Sequence, residues 1–228
     1  MKRVLAGADE RPVAAGKVGR PPRLSRQAIL KAALTLLQHA PREPITAARI
    51  ASQVDAVPAA LYRHFANLDE LLDGVLAMVL DQVEIKIRRR AAWPTQIRDW
   101  MTSVRSHLLG YPAVLRLLGR RGRTSPAWLD AVAAPIAILS AAGLRDVELA
   151  RAHLWLTETT IALVIQEATL SFHDQLRGAR ASLKEMSPEG RASLAPLLAH
   201  LAKQDPDQMF EFMAERTIAA LVDLIERR

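Results

Sequence analysis

The apolar and polar positions of this 228-residue chain follow a helical period over most of its length. The most regular run lies after residue 69. Leu71, Leu72, Val75, Leu76, Val79, Leu80 and Val83 recur at i, i+1, i+4 and i+5, the spacing of a broad apolar face. This predicts a helix over 69–90, opened by Asn67 or Asp69 and closed by the basic run Arg88-Arg89-Arg90, which suits the negative end of a helix dipole. An earlier helix, capped by Ser25 and running to about residue 39, buries Ile29, Ala33, Leu36 and Leu37. Two very short helices fall between these. Thr46 caps one, with Ile50, Ala51 and Val54 on a single face. Pro58 opens the other, 58–64, with Leu61 and Phe65 at i and i+4. Asp55-Ala56-Val57 breaks the pattern between them. Two short helices joined by a tight turn cannot form a core alone and must lie on their neighbours. That is the outline of a helix-turn-helix, whose second helix can enter the major groove of DNA.

Helical patterns continue at 94–109, 112–120, 126–142 and 146–172. The more polar stretch 178–207 contains one helix, capped by Ser187 with Pro188 at its first position. The last helix, 206–227, carries Phe210, Met213, Thr217, Leu221 and Leu224 on one stripe. No alternating strand pattern and no internal repeat is seen, so the expected class is all-α. The expected organisation is a tail over 1–18, a three-helix helix-turn-helix domain with a basic arm over 19–68, and a larger helical domain over 69–228, with 69–90 as connector. Residues 154–165 are apolar almost all round, and the last helix adds Phe212, Ile218 and Ile225 beside its main stripe. A helix apolar on every side must be enclosed, either within one core or between two copies of the chain.

Charge sharpens the picture. Residues 1–66 hold 11 Lys/Arg against 4 Asp/Glu, whereas 67–228 hold 20 of each. The formal net charge of +7 therefore sits wholly on the segment with the helix-turn-helix, which points to a polyanionic partner. Lys17, Arg20, Arg23 and Arg26 make a basic arm around Pro21-Pro22, stiff enough to lay arginines into a minor groove. The chain has no cysteine, which excludes disulfides, thiolate nucleophiles and Cys-based metal sites and suits a reducing cytoplasm. No stretch reaches the length of a membrane span, and Asp9, Glu10 and Arg11 interrupt the short apolar run after Lys2-Arg3, so a cytoplasmic protein is expected. There is no G-x-S-x-G, no phosphate-cradling glycine loop, no paired carboxylate motif and no His-x3-His. Neither catalysis nor a metal or other cofactor is expected.

Ile50, Ala51, Leu61, Tyr62, His64 and Phe65 together resemble the TetR family of bacterial transcriptional regulators, and the run over 19–34 is similar to that family's arm and first helix. The resemblance implies that Thr46, Tyr62 and His64 hydrogen-bond DNA phosphates. It implies that Arg49 and Arg63 meet base edges from a reading helix that opens with Pro58, Ala59 and Ala60. It also implies a two-fold dimer through the helices at 146–172 and 206–227, a palindromic operator, and a pocket for an apolar or amphipathic effector that releases the DNA. Candidate pocket residues are Trp100, His107, Arg116, Trp128, Trp155, Glu158 and Gln166. Glu158 stands out because it lies within the apolar helix with Trp155 and Ala162 at helical spacing. The chain departs from the family pattern at Asp55, where glycine is usual, and at Leu68, where lysine is common. Glu84 stands roughly where the tetracycline repressor uses a histidine around its metal–drug complex, which argues against tetracycline as effector. Two other readings stay open at this point: a helical interaction module that no longer reads DNA, and an enzyme using the C-terminal helices.

Overall fold

The computed structural model describes residues 24–40, 43–118, 126–169 and 172–227, and the described residues contain helices and no strand. The N-terminal helices are α1 (Arg26–His39), α2 (Ala47–Ser52), α3 (Pro58–Leu61) and α4 (Leu68–Leu80). The larger part holds α5 (Trp93–Leu109), α6 (Pro112–Leu118), α7 (Pro126–Ala141), α8 (Asp146–Thr169), α9 (Phe172–Ser182), α10 (Pro188–Leu201) and α11 (Pro206–Glu226). A short 3-10 turn, Leu183–Glu185, joins α9 to α10.

Local chemistry sets the helix starts. Ser25 accepts the Ala28 N–H at 3.1 Å, Thr46 that of Arg49 at 3.3 Å, Asn67 that of Glu70 at 2.8 Å and Ser187 that of Gly190 at 3.1 Å. Each bond satisfies one donor that the first turn leaves unpaired. Pro58, Pro188 and Pro206 open their helices, where a missing N–H costs nothing.

Leu71, Leu72, Val75, Leu76, Val79 and Leu80 of α4 are all buried. They belong to one continuous core that runs from Ile50, Leu61 and Phe65 through Trp100 and Leu139 to Phe210 and Leu221. α6 lies against α1, α4 and α8, so the segment carrying the short helices and the larger helical part share packing through it. Gly74 lets α1 approach α4 closely: a Cβ there would stand 2.9 Å from Leu30 Cδ2.

Three expectations are corrected. α4 ends at Leu80, ten residues short of the predicted end. Residues 83–88 leave the helix and run antiparallel to α5. The Lys86 N–H donates to Ser103 Oγ at 3.0 Å and the Arg88 N–H to Asp99 Oδ2 at 2.9 Å. Two residues of extended chain rise about 6.6 Å and four residues of helix about 6 Å, so the donors of 86 and 88 meet side chains four apart on α5. Val83, Ile85 and Ile87 pack half-buried on the core while Glu84, Lys86 and Arg88 stay exposed. The β-branched residues at alternate positions favour this over helix. Arg88 therefore ends no helix. It forks onto Asp99, raising the pKa of its own guanidinium and holding the Asp99 carboxyl below its ordinary value. Second, the helix expected over 146–172 stops at Thr169, and a separate helix over Phe172–Ser182 follows, which the polar sequence there did not disclose. Third, the reading helix is shorter than 58–64: it spans Pro58–Leu61 and continues as a turn over 62–64.

Candidate nucleic-acid interface and ligand cavity

The helix-turn-helix begins with a backbone requirement. Asp55, in the turn between α2 and α3, has φ +48°, in the left-handed region that glycine adopts most easily. The turn is closed by the Val54 and Ala56 N–H groups, which donate to the Ala51 carbonyl at 3.1 and 3.0 Å. Short polar side chains tolerate this conformation better than others, so aspartate can stand where glycine is usual.

The turn aims α3 outward. Leu61 and Phe65 are buried at 1% and 2% exposure and fix the helix to the core. Val57, Pro58, Ala59, Tyr62 and Arg63 are exposed, whereas Ala60 and His64 are half-buried. Tyr62, at 49% exposure, presents much of its ring and hydroxyl to solvent. Thr46 is exposed at the N-terminus of α2, where its oxygen accepts the capping hydrogen bond and leaves its own proton to donate.

The arginines divide. Arg63 is exposed and pairs with none of the described residues. Arg49 is tied back: it donates to the Pro44 carbonyl at 2.7 Å and pairs with Glu43 at 2.7 Å, so in this conformation its guanidinium is occupied. Arg26 turns toward the protein, donating to the His64 carbonyl at 2.5 Å and to Glu70 at 3.2 Å. Lys17, Arg20 and Arg23 lie outside the described residues.

The candidate ligand residues scatter. Trp100 is fully buried, its indole N–H donating to the Ala131 carbonyl at 2.8 Å, and Trp128 is buried at 6% exposure. Both are core aromatics with no part in the lining of the apolar cavity described below. His107 Nε2 donates to the Val79 carbonyl at 2.8 Å, at the end of α4. The side chain of Arg116 lies outside the described residues. Glu158, expected to be enclosed, is exposed. It lies on one exposed stripe of α8 in the single chain, with Arg151, Trp155, Ala162 and Gln166.

Of the six whose side chains are described, Gln166 alone lines the apolar cavity, a half-open space of about 590 Å³ between the end of α5, α8, α9 and the start of α11. Leu109, Pro112, Leu163, Met209, Phe210 and Met213 supply most of its walls. Gln166, Gln175 and Gln204 add neutral amides, and Glu167 and Asp205 are the lining carboxylates. Arg105 closes the wall behind Phe210. It forks onto Glu167 at 2.6 and 2.8 Å, reaches Asp207 at 2.5 Å, and lies 4.6 Å above the Phe210 ring. These bonds push its pKa further up, so the charge is permanent. The methionines at i and i+4 beside Phe210 were the available signal for this cavity, since Met fills adaptable apolar surfaces. A second, more polar groove runs along α5 between His107 and Arg88, and charged side chain ends line it.

Residues 29–75 match the family model of bacterial regulatory proteins of the tetR family. Residues 88–223, more than half of the chain, match that of the tetracyclin repressor-like C-terminal domain. The chain belongs to the TetR family. It is a DNA-binding transcriptional regulator of the ligand-responsive kind. It is similar to an HTH-type transcriptional regulator of Saccharopolyspora erythraea, 26% identical over 164 residues that cover 72% of this chain and 69% of that protein. Among solved structures it is similar to the TetR family protein ActR of Streptomyces coelicolor in complex with actinorhodin. That likeness has a TM-score of 0.72 and 26% identity, over 89% of this chain and 99% of ActR. It shares its fold with BioQ bound to its natural double-stranded DNA operator, with TM-score 0.58 and 23% identity over 80% of this chain and all of that one (100%).

The left-handed turn gives a direct test. Asp55→Gly should stabilise the protein by about 0.5–1 kcal/mol, and Asp55→Ala should destabilise it by about 1 kcal/mol. Urea unfolding of the three proteins checks this, and equal stability of Gly and Ala variants would show that the turn is not strained.

Proposed function

We propose that the protein is a homodimeric repressor that binds a palindromic operator and is released when a small molecule enters the α8–α11 cavity. The observation that carries the DNA-binding part is the exposed face of α3 and its turn, with Tyr62 and Arg63 outward, on the segment that holds the whole positive surplus. Thr46 and Tyr62 position the protein by donating to phosphates. Arg63 is the best placed side chain for a base edge, since a guanidinium pairs bidentately with guanine. Val57, Pro58 and Ala59 offer only apolar contacts, so much of the preference comes from the basic arm and from DNA shape.

Exposed apolar side chains support the dimer. Leu154 and Trp155 on α8 and Phe212 on α11 are 59%, 41% and 54% exposed. Two such helices from each of two copies would bury them in a four-helix interface and set two reading helices on one duplex.

The lining of the cavity supports an effector class. Among the described residues it contains amides, methionines, an aromatic ring and carboxylates, and no Lys, Arg or His. An uncharged amphipathic molecule fits this lining, its apolar body against Leu163, Phe210 and the methionines and its polar groups against the amides. ActR, which is similar to this chain, is in complex with actinorhodin, which supports a small-molecule effector.

Each part has its measurement. Affinity for the DNA upstream of its own gene should fall steeply with salt, with a slope of about −0.9 per phosphate contact. Absence of binding at low salt, or binding indifferent to salt, would overturn the repressor reading. Arg63→Ala should cost roughly 1–3 kcal/mol at one base position and relax preference there; a uniform loss over all sequences would make it a phosphate contact. Phe212→Glu should shift the sedimentation coefficient from dimer to monomer, and an unchanged dimer would remove α11 from the interface. Nile red, a flat neutral dye, should bind saturably to the wild type and not to Met213→Trp, which fills the cavity. Equal binding by both would place the dye elsewhere.

A further inference from the structure

We propose that Arg26 and Glu70 form the joint that fixes the reading helix to α4, making both of them positioning residues for operator binding. The proposal rests on the operator-binding reading above and concerns what holds the reading surface in place.

Three groups converge on the Arg26 guanidinium. It donates to the His64 carbonyl at 2.5 Å, donates to Glu70 Oε1 at 3.2 Å, and lies 4.1 Å above the Phe65 ring. The other oxygen of Glu70 accepts the Ala66 N–H at 2.6 Å, while the Glu70 N–H is held by Asn67 at 2.8 Å. One ion pair thus closes the chain from the end of the reading turn, at residues 64 and 66, onto the first turn of α4 and the first residue of α1.

The need for such a joint follows from length. α3 has four residues, too few to hold a helix by its own hydrogen bonds. The carbonyls after it have no continuing helix to bond them. A planar guanidinium suits this place because its donors are fixed relative to one another and its cation favours a helix C-terminal end. A carboxylate suits the first turn of α4 for the opposite reason, and there it collects a free N–H as well. Phe65 is 2% exposed, so the guanidinium rests on a ring that the core immobilises. Tilting α4 would therefore carry Tyr62 and Arg63 with it through Glu70 and Arg26.

Charge alone makes the contrary prediction, which permits a clean test. If these groups acted only as charges near DNA, removing Arg26 would weaken binding and removing the carboxylate of Glu70 would tighten it. If they act as a joint, either loss weakens binding. The side chains are 49% and 31% exposed, so the loss is modest.

The test uses the full-length protein and a duplex enriched by the wild type from a randomised pool, with affinity measured across a salt series. Glu70→Ala, which keeps a good helix former in α4, should weaken binding roughly three- to tenfold with the salt slope unchanged. Arg26→Lys keeps the charge and loses the fork, and should weaken binding to a similar degree. The double variant should be little worse than either single one, because the two share one interaction. Tighter or equal binding by Glu70→Ala overturns the proposal. So does unaltered affinity of Arg26→Lys accompanied by a slope reduced by about 0.9 in Arg26→Gln, the behaviour of a phosphate contact. Failure of the wild type to enrich any duplex would instead sink the operator-binding reading. Amide exchange then decides the joint: faster exchange at Phe65 and Ala66 in Glu70→Ala is expected, and unchanged exchange overturns it.

Discussion

The two short helices have no stability of their own, and the rest of the structure follows from where they find it. α2 and α3 are six and four residues long, below the length at which backbone hydrogen bonds offset the entropy of ordering. They persist because Ile50, Leu61 and Phe65 are each at most 2% exposed, packed with the buried faces of α1 and α4. Burying a side chain of this kind contributes about 1.5–3 kcal/mol. α4 thus has two obligations. One end of its apolar face completes the domain that meets DNA, and the other belongs to the core that continues through Trp100 to α11. A change in how α4 sits cannot leave either side untouched, which is the physical condition for coupling a cavity to a distant surface.

Much of this was legible in the sequence, and the legible part is local. Ser25, Thr46, Asn67 and Ser187 cap the helices they precede because capping needs only a side chain oxygen and the next few N–H groups. The stripe from Leu71 to Leu80 is buried as its spacing requires, and Asp55 adopts the left-handed backbone expected of a glycine position. The end of α4 was not legible, because Val83 and Ile87 fit a helical period as well as an alternating one. Ser103 and Asp99, distant in sequence, decide between them by receiving the backbone donors of 86 and 88.

The candidate site follows the same division. Tyr62 and Arg63 point outward because Leu61 and Phe65 must point inward. The fates of Arg26 and Arg49 depend on partners brought close only by folding, and a basic residue near a motif says nothing about whether its charge is already engaged. Tryptophans drew attention in the C-terminal half because they are large. Two of them serve the core, and the cavity is built instead from methionines and glutamines whose pattern carries little signal. Glu158 lies on the exposed side of α8 in the single chain, because a run that is apolar on average still has a polar side.

The segment after α4 bears on how that helix can move. Residues 83–88 connect the end of α4 to the start of α5 by running back along α5. Their far portion is pinned by Ser103 and Asp99, while His107 holds the Val79 carbonyl in the last turn of α4 and Tyr111 reaches Gln82 at 3.3 Å. The end of α4 cannot recede from α5 without breaking those bonds, so its withdrawal carries the combined cost of several ordinary hydrogen bonds.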